Sequence, residues 1–265
     1  SKDMLDKLDV DVIPLNVSFS SGSYLDGVEI TTEELYKKVS ELDEIPKTAA
    51  IPIMTFVDYF SKYINQGYDI IYFGISRQMS RTYENALLAK EELESDKIYI
   101  VDSMNLSTGI GLLVLKACKY RDNNMSAKEI ADRLNIDNKL VLSQFAIERM
   151  DFLHKGGRCS SIAKLFGTLL KIKPIIAVRD GKMHVMKKPI GKMKIALDIM
   201  IKQIVDDKDR LDTDHIIVTD SLAYDYCDYI VSKLKVEFPN VDIITSVAGC
   251  VISSHCGKGT IGILY

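Results

Sequence analysis

No apolar run in this 265-residue chain approaches the roughly 18 residues that a membrane-spanning helix needs. No signal peptide is visible at its start. Basic charge is not in excess: 34 Lys and Arg stand against 37 Asp and Glu, a net charge of −3. That balance argues against nucleic acid as the main partner, because phosphate binding calls for a basic surface. The five cysteines, Cys118, Cys159, Cys227, Cys250 and Cys256, are scattered and form no C-x-x-C pair. An odd, dispersed set in a long chain fits a reduced cytoplasmic protein rather than a disulfide scaffold, and each thiol reads first as a small buried hydrophobe. Low-complexity linkers are missing too, so two domains would have to pack closely. Ser1 opens without an initiator Met or a preceding strand, and a processed or truncated N-terminus is expected.

What is present is ordinary for a globular protein: 47% hydrophobic and 27% charged residues, with enough length for one large domain or two small ones. Apolar alternation marks strands over 10–19, 69–75 and 97–103. Helical patterns lie between them. One begins with a capping box, Thr31 with Glu34, and another with Ser126 and Glu129. Gly67 supplies a C-terminal stop. Strands alternating with helices of this length predict an α/β fold with a mainly parallel sheet in the first 140 residues. Residues 141–265 repeat the style less regularly, with a hairpin around Asp180-Gly181. The expected architecture is two α/β lobes, 1–140 and 141–265, with a ligand cleft between them.

The stretch "VISSHCGKGTIG" (251–262) invites a phosphate-loop reading, which fails on its own requirements. Ile252 stands where the first glycine of a Walker A loop belongs, and Gly259 replaces its Ser or Thr. A cysteine phosphatase loop needs an Arg six residues after the Cys, where Gly262 stands. Adjacent His255 and Cys256 cannot easily aim at one metal ion, and no second cluster exists, so no metal is expected. What survives is a His on a glycine-rich turn that lets another group approach closely.

Three other stretches carry polar groups in suggestive places. In "FGISRQMSRTYENA", Ser76, Ser80 and Thr82 crowd the entrance to a helix beyond a hydrophobic strand. The carboxyl end of a parallel strand is where open α/β sheets bind ligands, and a helix N-terminus there suits an anion. In "IPKTAAIP", Pro46 and Pro52 stiffen a loop that presents Thr48. In "MDFLHKGGRCSS", Lys155, Gly156, Gly157 and Arg158 make a basic elbow suited to a carboxylate or phosphate.

Taken together, these stretches resemble the DegV family of bacterial fatty-acid-binding proteins. "PKT", "IS-x-x-x-S-x-TY", "VDS" followed by "GIGLLVL", "L-x-KGGR", "KPI" and "VI-x-x-H-x-G-x-G-x-x-G" occur in family order from about Val12 to the C-terminus. The resemblance implies a two-lobed protein that encloses one long-chain fatty acid. It also implies a non-catalytic role, presenting the carboxylate to a separate kinase subunit that forms an acyl phosphate for phospholipid synthesis, with no cofactor of its own. By resemblance, Thr48 and Ser80 hold the carboxylate, helped by the N–H of Arg81, with His255 and Arg158 near the head group. The apolar stretch "SIAKLFGTLLKI" is expected to line the acyl tunnel through Ile162, Leu165, Phe166 and Leu169. Departures from the family pattern fall at Ala49, Arg77, Gln78 and Arg81, three of them where the family has Ser or Gly in the head-group loop. Five lysines in 182–194 suggest transient contact with an anionic membrane. The competing expectation is a hydrolase of a small or acyl ester, with Ser80 or Cys256 as nucleophile and His255 as base.

Overall fold

Both capping boxes form as read: Thr31 Oγ1 accepts from the N–H of Glu34 and Ser126 Oγ from that of Glu129, while each Glu carboxylate returns to the cap N–H. The computed structural model describes residues 1–163, 165, 171–211 and 214–265. In its N-terminal part, α1 (Lys2–Leu8) precedes β1 (Asn16–Phe19), β2 (Gly22–Leu25), α2 (Thr32–Leu42), β3 (Lys47–Ala49) and α3 (Ile53–Ile64). Then come β4 (Ile70–Gly74), α4 (Thr82–Glu92), β5 (Ile98–Asp102), α5 (Thr108–Asp122) and α6 (Ala127–Asp137). The C-terminal part holds β6 (Ser143–Ala146), α7 (Met150–Gly156), β7 (Ile175–Arg179), β8 (Lys182–Lys187) and α8 (Met193–Asp206). It ends with β9 (His215–Asp220), α9 (Tyr224–Glu237), β10 (Asp242–Val247), α10 (Cys250–Cys256) and β11 (Ile261–Leu264).

The described strands make three sheets. β4 and β5 pair in parallel, with α4 between them in sequence as the crossover, as the α/β pattern predicts. The strand expected over 10–19 is shorter: β1 starts at Asn16 and pairs antiparallel with both β2 and β3. The parallel pairing in the first 140 residues is therefore confined to β4 and β5, beside this three-stranded antiparallel sheet. Thr48 also sits on a strand, opposite Val17, where the sequence suggested a loop. The C-terminal sheet is six-stranded and mixed, in the order β10-β9-β11-β6-β7-β8, with Asp180 and Gly181 turning β7 into β8 through positive φ at both positions.

One face of this large sheet is filled. Ala146, Ile216, Val218, Ile261 and Ile263 pack against Leu197, Met200 and Ile204 of α8 and Ile230 and Leu234 of α9. The other face turns toward elements from the first half of the chain. Met79 and Leu106 join Phe145, Leu153, Ile176 and Val178 in one cluster. A second cluster that crosses the halves joins Val17, Leu35 and Tyr36 with Phe152, Cys250 and Val251. The helix expected over "SIAKLFGTLLKI" is described only as a single 3-10 turn, Ser160–Ile162; Lys164 and the tunnel candidates Phe166 and Leu169 lie outside the described residues.

Candidate functional site

His255 is set by its surroundings rather than by a flexible turn. It occupies the last turn of α10, which corrects the expectation of a His on a glycine loop; the glycines follow the helix, with Gly257 and Gly259 at positive φ. The start of α10 is clamped by a residue far away in sequence. Asp26 accepts from the N–H groups of Cys250 (2.7 Å) and Val251 (2.9 Å), and a Cβ on Gly249 would stand only 3.0 Å from both carboxylate oxygens. Thr32 adds a hydroxyl bond to the carbonyl of Ala248. These contacts seat α10 against the antiparallel sheet that carries Thr48, and Thr48 Oγ1 lies 2.9 Å from His255 Nε2.

The "KGGR" elbow completes the seat by using each residue differently. A Cβ on Gly156 would fall 2.4 Å from His255 Nδ1, so a side chain there would displace the imidazole. Gly157 ends α7 in the left-handed region, φ 72°, which favours glycine. Arg158 then folds back, its Nη1 donating to the carbonyl of Gly156 at 2.6 Å. Burial, reinforced by the field of Arg158, pushes His255 down to about 4, so the imidazole is neutral at physiological pH. Its Nδ1 is buried and without a hydrogen-bond partner among the described residues. An orphaned buried ring nitrogen is costly, and this one faces the backbone of Gly156.

Ser80 comes from the other side. After β4 the chain tightens, with the N–H groups of Met79 and Ser80 both donating to the carbonyl of Ser76. Ser80 Oγ accepts from the N–H of Thr82 (3.2 Å) and lies 2.9 Å from Thr82 Oγ1, so it stands at the mouth of α4. The β7–β8 hairpin braces this loop: a Cβ on Gly181 would stand 2.4 Å from Ser76 Oγ. Arg77 is anchored by Asp102, through its backbone N–H (3.4 Å) and its Nε (3.5 Å). Arg81 makes no ion pair among the described residues.

Thr48, Ser80, Arg81, Arg158 and His255, which the sequence singled out, all line one cavity of about 440 Å³, together with the departures Ala49, Arg77 and Gln78. Its described apolar wall comes from other segments than the one expected. Leu106, Phe145, Leu153, Met79, Met183 and Ile252 form it, from six elements and loops. Ile162 and Leu165 are not among the described lining residues: both are buried in a cluster with Leu153 and Ile147. Sequence reasoning missed Phe145 and Met183; the alternation of β6 and β8 marks a buried face but does not say that the face is hollow.

The hydrolase geometry is not formed. Ser80 bonds Thr82, and His255 bonds Thr48, so neither supplies the nucleophile–base contact that such chemistry needs. The Cys256 thiol is buried and pushed up to about 12 by desolvation, which keeps it a thiol rather than a reactive thiolate. Cys250 is likewise raised to about 12 by burial, with a further rise from Asp26. All five cysteines are buried and unbridged, as the sequence suggested. No described helix is long and apolar enough to cross a membrane.

A family model described as an uncharacterised protein of the DegV family matches residues 1–265. A DegV domain-containing protein of Clostridium perfringens is 34% identical over 265 residues, covering 100% of this chain and 94% of its own length. Among solved structures, a fatty-acid-binding DegV family protein from Thermus thermophilus is similar with a TM-score of 0.90 and 25% identity, covering 100% of this chain and 94% of its own. DegV of Bacillus subtilis, described as a fatty acid binding protein, has a TM-score of 0.84 and 26% identity, with 99% and 93% covered. The family model and the relatives agree, and the chain belongs to the DegV family.

Proposed function

We propose that this protein binds one long-chain fatty acid in the cavity, with the carboxylate at Thr48, Ser80 and the N–H of Arg81, and with His255 and Arg158 beside it. The observation that carries this is the composition of one wall: hydroxyls, a neutral imidazole and arginines stand at one part of a cavity whose remainder is largely apolar. The relatives described as fatty-acid-binding support it. Each buried CH₂ contributes about 0.8 kcal/mol, so an acyl chain of roughly 14 supplies on the order of 11 kcal/mol before the costs of association. A head-group hydrogen bond adds about 1 kcal/mol. The tail supplies affinity and the polar groups fix where the carboxylate sits.

In this reading the protein acts in the cytoplasm and is not itself a kinase. It presents the carboxylate to a separate kinase subunit, which makes the acyl phosphate for phospholipid synthesis. A transient contact with anionic membrane suits the edge of the large sheet, where Lys182, Lys187, Lys188, Lys192 and Lys194 are exposed around exposed Ile190 and Ile195. Mass spectrometry of the denatured protein is expected to release a co-purified fatty acid, and the isolated chain to turn over no ATP. Absence of any acyl ligand, with no binding of added fatty acid, overturns the proposal.

A further inference from the structure

Glycine inside a strand weakens it and calls for a reason, usually a left-handed backbone, a bulge, or the close approach of another group. Gly262, in β11, has neither of the first two. It is not among the glycines at positive φ, and its pairs with Phe145 of β6 and Thr219 of β9 lie in unbroken register. What remains is space. Gly262 is part of the cavity wall, on the hollow face of the large sheet, while its neighbours Ile261 and Ile263 point into the filled face.

A Cβ built on Gly262 would meet the Gln144 carbonyl oxygen at 3.3 Å, Phe145 Cβ at 3.3 Å and Leu264 Cδ1 at 3.5 Å. These three nearest atoms all belong to the sheet, and none to the head-group residues or to the opposite wall. A larger side chain would therefore grow into the void. Two polar side chains beside it are bonded, Thr219 Oγ1 lying 2.5 Å from Thr108 Oγ1 and Ser143 Oγ donating to Asn105 Oδ1 at 2.7 Å, while Gln144 Oε1 has no partner among the described residues. Hydrocarbon lying over Thr219 and Ser143 leaves both of these bonds in place.

We infer that Gly262 is a specificity-determining residue: its missing side chain opens the floor over which the far part of an acyl chain lies, and so sets the longest chain accepted. This rests on the fatty-acid reading above. The test measures binding of laurate, myristate, palmitate and stearate to the unmodified chain, Gly262→Ala and Gly262→Val, with the fold of each checked by circular dichroism and thermal melting. The expected result is laurate binding within about twofold of the unmodified chain and stearate weakened about tenfold or more in Gly262→Val, with Gly262→Ala intermediate. Gly262→Ala adds one methyl at ordinary to tight contact distances, so it decides the matter should the valine variant fail to fold. Unchanged chain-length preference in a folded Gly262→Ala overturns the inference, and so does an equal loss across all four lengths, which would assign Gly262 to sheet integrity instead. If the unmodified chain binds none of the four, the fatty-acid reading itself fails, and this inference with it.

Discussion

The two faces of the six-stranded sheet are built from alternate residues of the same strands, yet one is solid and the other hollow. On the solid face, Ile216, Val218, Ile261 and Ile263 meet the apolar stripes of α8 and α9, which lie next to them in sequence and fill the space. On the hollow face, Phe145, Gly262, Thr219 and Leu264 look toward α5, the Ser76–Ser80 turn and the antiparallel sheet, which come from the other half of the chain. Elements that are neighbours in sequence fill the first face. The second is bounded by parts with their own cores, and the mismatch leaves about 440 Å³ open. The cavity is a place where two well-packed bodies fail to interdigitate.

The comparison breaks most sharply under truncation. Ile263→Ala on the solid face is expected to cost about 2–5 kcal/mol, because the residue is fully buried and its surroundings cannot collapse. Leu264→Ala, one residue on, is expected to cost less, since its side chain packs on Leu112 and Ile217 but also borders the cavity. Urea denaturation of both variants checks this; equal losses would mean that the hollow face is as tightly packed as the other.

A smaller effect, confined to the hollow side, concerns pH. His255 has its folded value lowered to about 4 against an ordinary 6.5, so below 6.5 the unfolded chain takes up the proton first. Its contribution to stability is therefore fully present above 6.5 and is lost as pH falls toward 4, by roughly 3 kcal/mol in all. Denaturation midpoints across that window should fall in the unmodified chain and flatten in His255→Gln. The smallest effect belongs to Thr48→Val, which removes the hydroxyl facing His255 while keeping the strand. Fatty-acid binding should weaken about fivefold, the worth of one hydrogen bond of about 1 kcal/mol, with thermal stability little changed. A titration that finds unchanged affinity would move the carboxylate away from Thr48.

Much of the scaffold is legible in the residues. Both capping boxes, the Asp180-Gly181 hairpin, the parallel β4–β5 pair and the polar entrance to α4 follow from local spacing, because each depends on contacts within a few residues or on side-chain period. The antiparallel sheet around β1 was harder to read. Its strands are only three or four residues long, too short for alternation to register, and Thr48 looks like part of a proline-bounded loop. Two of the four expected wall residues, Ile162 and Leu165, are not among the described lining residues, for a related reason. Ile162 and Leu165 are as apolar as Phe145 and Met183, and hydrophobicity alone does not separate a side chain behind a wall from one that forms it.

The sequence by itself determined the local devices: helix starts and stops, strand faces, the Gly156-Gly157 elbow, and the absence of the residues that phosphate-loop chemistry cannot omit. Tertiary structure alone decided that Thr48 and His255, 207 positions apart, would share a hydrogen bond, that Asp26 would hold the helix carrying His255, and that the space above Gly262 would stay open. The division has a physical cause. A cap or a turn is an energy between near neighbours, whereas a cavity is the difference between two shapes, and no stretch of chain contains both of them.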